Sequence, residues 1–219
     1  MKAATRSDTL KAGLKYRPET GFSKQKYNLT IGKQPQFIWF RNAKVATRTI
    51  FAILDTVKAD LSVSSFGNVY YPIEHYQSHF KFAFVRNPWD RLVSGWLSKI
   101  HNDNKLSLYF ETSEQTLCFE SFVNYIAQQD IKTVNKHFRC QVELIDLQHM
   151  NFVGRFESFE DDMRHVLNSL GIDLKVIPWH NKTINRQAYQ AYYNERTKGL
   201  VGEIYKADID AFSYKFNDQ

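Results

Sequence analysis

Phe37-Ile38-Trp39-Phe40-Arg41-Asn42-Ala43-Lys44-Val45-Ala46-Thr47-Arg48-Thr49-Ile50 opens on apolar residues, passes through a short turn rich in Lys and Thr, and resumes with apolar residues at helical spacing. This order predicts a buried strand over residues 36–41 and a helix over 45–58, with Ile50, Ile53, Leu54 and Val57 as its buried stripe. Where a strand gives way to a helix, the first helical N–H groups have no partner within the helix, and its positive end lies behind them. The turn is therefore a cradle for phosphate. Lys44 adds a full charge to it, and Thr47 and Thr49 add hydroxyl donors, an arrangement that suits a nucleotide-type cofactor.

Outward from this segment the pattern repeats. Residues 80–86 read as a strand that runs directly into Asn87-Pro88-Trp89-Asp90, a helix start with a capping Asn and a Pro at the first helical position. Leu92, Val93, Trp96, Leu97 and Ile100 form the buried face of that helix, and the tryptophans read as core. A third unit joins a strand over 151–157 to a helix beginning at Ser158, which has capping-box spacing with Asp161; Gly171 ends that helix. Residues 62–71 read as extended, 102–116 as a polar loop and 119–128 as helical. Tyr189, Tyr192 and Tyr193 read as packing residues with exposed hydroxyls. Strands alternating with helices predict an α/β fold with an open, mainly parallel sheet covered on both faces. Ligands of such folds bind beyond the carboxyl ends of the strands, so residues 41–49 and 86–90 are expected to face one crevice. Arg86 at a strand end and Ser94 two helical turns on are both able to hold a further phosphate. No glycine precedes Lys44, so the Walker pattern is absent and a kinase-like NTP site is weakened.

At 219 residues and 43% apolar content, the chain is sized for one sizeable core. Residues 1–34 hold eight Lys/Arg against Asp8 and Glu19, which accounts for the whole net charge of +6. That segment reads as a basic arm, a solvated leader or a device for gathering anionic partners, ahead of a charge-balanced domain over 35–219. Cys118 and Cys140 lack metal-knuckle spacing and read as free thiols of a reducing compartment. With no apolar run long enough to span a membrane and no signal-peptide block in the first residues, the chain reads as soluble.

Ala43-Lys44-Val45-Ala46-Thr47-Arg48-Thr49 resembles the 5′-phosphosulfate loop of sulfotransferases that use 3′-phosphoadenosine 5′-phosphosulfate (PAPS), with Ala43 in place of the usual leading proline. Phe84-Val85-Arg86-Asn87-Pro88-Trp89-Asp90-Arg91-Leu92-Val93-Ser94 resembles their 3′-phosphate motif. The likeness is closest to the carbohydrate branch, the Golgi-type glycan enzymes and their bacterial relatives. It extends to His137-Phe138-Arg139-Cys140-Gln141, to Phe152-Val153-Gly154-Arg155-Phe156-Glu157, and to the tail from Asn181 to Asp208. The resemblance implies a three-layer, P-loop-like domain with a central mainly parallel sheet flanked by helices. It also implies PAPS as co-substrate without a metal, Lys44 and the N–H groups of Val45 and Ala46 on the 5′-phosphosulfate with contacts from Thr47, Arg48 and Thr49, and Arg86 with Ser94 on the 3′-phosphate.

Transfer to a hydroxyl needs a base for the departing proton. In the resembled glycan enzymes a His or Glu between the two motifs serves, and this interval holds Glu74, His75 and His79. His79 starts the strand that ends at Arg86 and so falls at the far edge of the sheet. His75 is the first choice, with Glu74 close behind. His137 is a rival, because the His-x-x-x-Gln pattern recurs in the resembled family near the acceptor. Lys182, Thr183 and Arg186 are expected to form a loop closing over the cofactor, and Arg91 to form an ion pair with Asp90 or Glu157. The expected acceptor is a carbohydrate hydroxyl and no nucleic acid is expected. The expected location is cytoplasmic, or the Golgi lumen if the chain is an anchorless portion of a longer one. The competing readings are a P-loop nucleotide kinase-like transferase and a non-catalytic module that binds anions or nucleic acid.

Overall fold

The computed structural model describes residues 21–57, 62–98, 118–177 and 187–218. Five strands form one sheet: β1 (Tyr27–Lys33), β2 (Gln36–Phe40), β3 (Val63–Val69), β4 (Phe80–Val85) and β5 (Phe152–Arg155), in the order β3-β1-β2-β4-β5. β2, β4 and β5 run parallel to one another, Phe37 opposite Phe80 and Val85 opposite Arg155. β1 is antiparallel to both β2 and β3. The sheet is thus mixed, and the expected parallel arrangement holds for the β2-β4-β5 half.

β1 corrects the expected domain boundary. Residues 27–33, assigned to the basic arm, lie between β3 and β2, with Leu29 and Ile31 buried. The lysines at 24, 26 and 33 disguised a strand whose apolar residues alternate. Residues 1–20 of that arm, the 102–116 loop, and Lys182, Thr183 and Arg186 lie outside the described residues.

Strand side chains alternate between two cores, as the period of two requires. Phe37, Trp39, Phe82 and Phe84 pack under α1 (Thr47–Thr56) and α4 (Phe159–Ser169). Ile38, Phe40, Ala83 and Val85 face Tyr71, Tyr76, Leu144, Ile145, Phe212 and Tyr214 on the other side. A third cluster joins α2 (Pro88–Trp96), α3 (Phe119–Ala127) and α5 (Glu195–Ile204) around Trp89, Phe122 and Tyr205. A short helix, α6 (Lys206–Phe212), follows. Gly154 is required where β5 passes β4, because a Cβ there would meet the Phe84 ring at 2.6 Å. No helix among the described residues is long and apolar enough to cross a membrane.

The helix starts show where local spacing was a good guide. Asn87 caps α2 as expected, its side chain accepting from the Trp89 N–H at 3.1 Å. Ser158 instead donates to Asp162 Oδ2 at 2.7 Å, and no capping box forms at α4. Asp162 also accepts the Arg155 N–H, which ties the end of β5 to the helix that follows it.

Candidate active site

β2 and β4 are adjacent and parallel, so the turns leaving their carboxyl ends meet. Lys44 and Ala46 both adopt left-handed backbone, with φ of 70° and 62°. Such conformations at non-glycine residues store strain that surrounding structure must sustain. Val45 between them is anchored in the core. Ala46 supplies no side-chain cap to α1, so the cap residue's side chain satisfies none of the first N–H groups of that helix. Arg48 is exposed there, whereas Thr49 is buried. The Thr47 hydroxyl donates to the Asn42 carbonyl at 2.7 Å, so it braces the turn and does not offer its proton outward as expected.

Arg86 reaches this turn directly, Nη1 donating to the Lys44 carbonyl at 3.1 Å. Its Nε and Nη2 lie 2.7 and 2.6 Å from Asp90 Oδ2. The guanidinium also stacks 3.9 Å from the centre of the Phe156 ring at the end of β5. Asp90 is therefore the partner of Arg86 and not of Arg91. Glu157, the other partner expected for Arg91, accepts the Asn87 N–H at 2.7 Å and the Tyr214 hydroxyl at 3.0 Å. Burial raises the pKa of this carboxyl, against the pull of those bonds and of Arg86.

Arg91 is buried and bonds mainly to backbone oxygens. It donates to the carbonyls of Ala43 (3.0 Å), Arg139 (2.8 Å) and Lys136 (3.1 Å), and to Asn42 Oδ1 (3.4 Å). One side chain thus binds the Lys44 turn to both flanks of His137. Gly95, beside Ser94 on α2, allows the same loop to approach: a Cβ at Gly95 would lie 2.7 Å from the Phe138 ring and 3.6 Å from the His137 carbonyl. His137 is half-buried, its Nδ1 2.7 Å from Asn135 Oδ1.

Gln141 joins the strand ends from behind. Its Oε1 accepts from Asn42 Nδ2 and the Arg86 N–H, both at 2.9 Å, and its Nε2 donates to the Arg86 carbonyl at 2.9 Å. Asp208 of α6, wholly buried, accepts the N–H groups of Gln141 and Val142 at 2.8 and 3.0 Å. Burial raises the Asp208 pKa, and Arg91 with the donated N–H groups works against that rise. Asn135, Gln141 and Asp208 were missed as site supports; the only signal was their place within or beside the segments 137–141 and 205–208.

The structure does not bring Glu74 and His75 to this cluster. Both are exposed on a single helical turn, Glu74–Tyr76, in the crossover from β3 to β4. Glu74 lines a cleft with Ile73, Gln77, Lys81, His149 and Asn151 at the amino-terminal side of β4 and β5. Lys81 stands five positions before Arg86, about 17 Å along the strand. The crossover must descend the sheet before β4 can start, and it carries both residues toward the wrong end. His79 lies at that end too, buried beside Tyr76, as expected.

Tyr189 and Tyr193 depart from expectation as well. Their hydroxyls donate to the carbonyls of Phe216 and Trp89, so they are internal ties. Trp89 is core, its Nε1 on the Lys198 carbonyl at 2.9 Å. Cys118 and Cys140 are free thiols. Among the described residues, no group of three His, Cys, Asp or Glu is arranged to hold a metal ion.

Two strand-turn-helix units thus bring the Lys44 turn and Arg86 together at the carboxyl ends of adjacent parallel strands. Residues 27–215 match the sequence model of the sulfotransferase family, and the chain belongs to that family. It is 24% identical over 175 residues to carbohydrate sulfotransferase 10 of Xenopus laevis, covering 65% of this chain and 49% of that protein. It is 26% identical over 168 residues to carbohydrate sulfotransferase 11 of Rattus norvegicus, covering 63% of this chain and 47% of that protein. The chain spans about half the length of the curated relatives it matches. No solved structure matches it.

Proposed function

We propose that the chain transfers a sulfuryl group from PAPS to a hydroxyl of a carbohydrate acceptor, leaving 3′,5′-ADP. The observation that carries this reading is the direct bond from Arg86 to the Lys44 carbonyl, at the carboxyl ends of adjacent parallel strands. Two cationic side chains, each from a separate motif, then serve one ligand with phosphate at two places. In this P-loop-like reading, Lys44 and the amides opening α1 hold the 5′-phosphosulfate, while Arg86 and Ser94 hold the 3′-phosphate. The left-handed turn and uncapped helix end suit the first group, and the Asp90 and Phe156 contacts that fix the guanidinium suit the second.

As the acceptor oxygen bonds to sulfur, charge grows on the phosphate oxygen that leaves. Lys44 and fixed amides aimed there stabilise it. The acceptor's proton passes to a base, and His137 is the residue we assign, because its loop is tied to the Lys44 turn through Arg91.

Calorimetric titration with 3′,5′-ADP tests the assignment. Micromolar binding is expected, weakened at least about tenfold in Lys44→Ala and in Arg86→Ala. Wild-type protein that melts cooperatively yet does not bind would overturn it. Turnover of labelled PAPS against a panel of glycans then identifies the acceptor.

A further inference from the structure

We infer that Asn135 is a positioning residue that fixes the tautomer of His137, making Nε2 the basic nitrogen; this rests on the assignment of His137 as the base. The backbone N–H of His137 can only donate. It lies 3.1 Å from the Asn135 side-chain atom Oδ1, so that atom must be the amide oxygen and the side chain cannot be turned the other way. The same oxygen lies 2.7 Å from His137 Nδ1. An amide oxygen accepts and does not donate, so Nδ1 carries the proton. In the neutral ring the lone pair is then on Nε2.

The turn that holds Asn135 is itself held. Its carbonyl accepts the N–H groups of Phe138 and Arg139 at 2.8 and 3.0 Å, and Arg91 grips the carbonyls of Lys136 and Arg139. The imidazole is thereby bonded through Nδ1 to a side chain two residues away, within a loop tied to the Lys44 turn. When an acceptor hydroxyl attacks sulfur, its proton moves to Nε2 and the imidazolium keeps its Nδ1–H on Asn135. A neutral amide accepts this bond without placing a second charge beside the ring.

The test reads the tautomer directly. In protein labelled with ¹⁵N-histidine, long-range ¹H–¹⁵N spectra, with the His137 signals assigned by their loss in His137→Gln, are expected to show Nδ1 protonated and Nε2 unprotonated at high pH. Asn135→Ala is expected to shift His137 toward the other tautomer and to lower kcat by about tenfold or more. Asn135→Asp keeps an acceptor, so it is expected to retain turnover while moving the acidic limb of the kcat/KM profile up by about one pH unit. An Nε2–H tautomer in the wild type, or a tautomer and acidic limb unmoved by both substitutions, overturns the inference. A His137→Ala protein that turns over normally instead overturns the assignment of the base, a separate outcome.

Discussion

From the sequence Arg91 reads as an ion-pair partner for Asp90 or Glu157, and its place beside Asp90 gives no hint otherwise. In the fold it is buried among carbonyl oxygens, and burial lowers its pKa while the nearby Asp208 opposes that. A guanidinium can reach three or four acceptors in one plane, whereas an ammonium cannot. Arg91→Lys should therefore strand buried carbonyls of Ala43, Lys136 or Arg139 and cost about 3 kcal/mol or more. Urea unfolding would measure this, and a loss under about 1 kcal/mol would mean the carbonyls find other partners. Lys44 and Arg86 were easier to place than Arg91, because they sit just past strand ends, whose positions follow from apolar patterning. Residues that act by bridging loops leave no such pattern.

Elements that are buried on both faces were legible. β2 and β4 are nearly continuous apolar runs, and each is followed by a helix start. β3 was legible as extended, and β1 was hidden by its flanking lysines. Glu74 and His75 fall away from the Lys44 and Arg86 cluster for a reason of the same kind. His75 and Glu74 lie between the two motifs in sequence, but the β3–β4 crossover has to return to the start of β4, which no residue pattern reveals. The helix α2 offers a test at this scale. Gly95→Ala should force the Phe138 ring and the His137 loop away from the helix, costing about 1–3 kcal/mol. Its kcat should fall more than its affinity for 3′,5′-ADP, since Arg86 and Lys44 are spared. Equal losses in both would show that the loop also shapes the cofactor pocket.

At the scale of the whole molecule, opposed titrations shape stability. His79 is buried with Nδ1 lacking a hydrogen-bond partner among the described residues, and its pKa lies below the ordinary 6.5, first through burial and then through the charges of Lys81 and His75. The unfolded chain therefore takes up this proton first as pH falls through 6.5, and stability is lost from there down to the folded value. Asp208 and Glu157 have the opposite sign: their raised pKa values make stability fall as pH rises from the ordinary carboxylate range. Comparing His79→Phe with wild type in urea at pH 7.5 and 5.0 isolates the first effect. The variant should lose less stability on acidification, and equal slopes would place the acid sensitivity elsewhere.

Arg91 also carries a consequence for how far relatives of this chain can diverge. Because its main acceptors are peptide carbonyls, the identities of residues 43, 136 and 139 are nearly irrelevant to the tether. Those loops can exchange side chains without loosening the tether, so long as their backbones still meet the guanidinium.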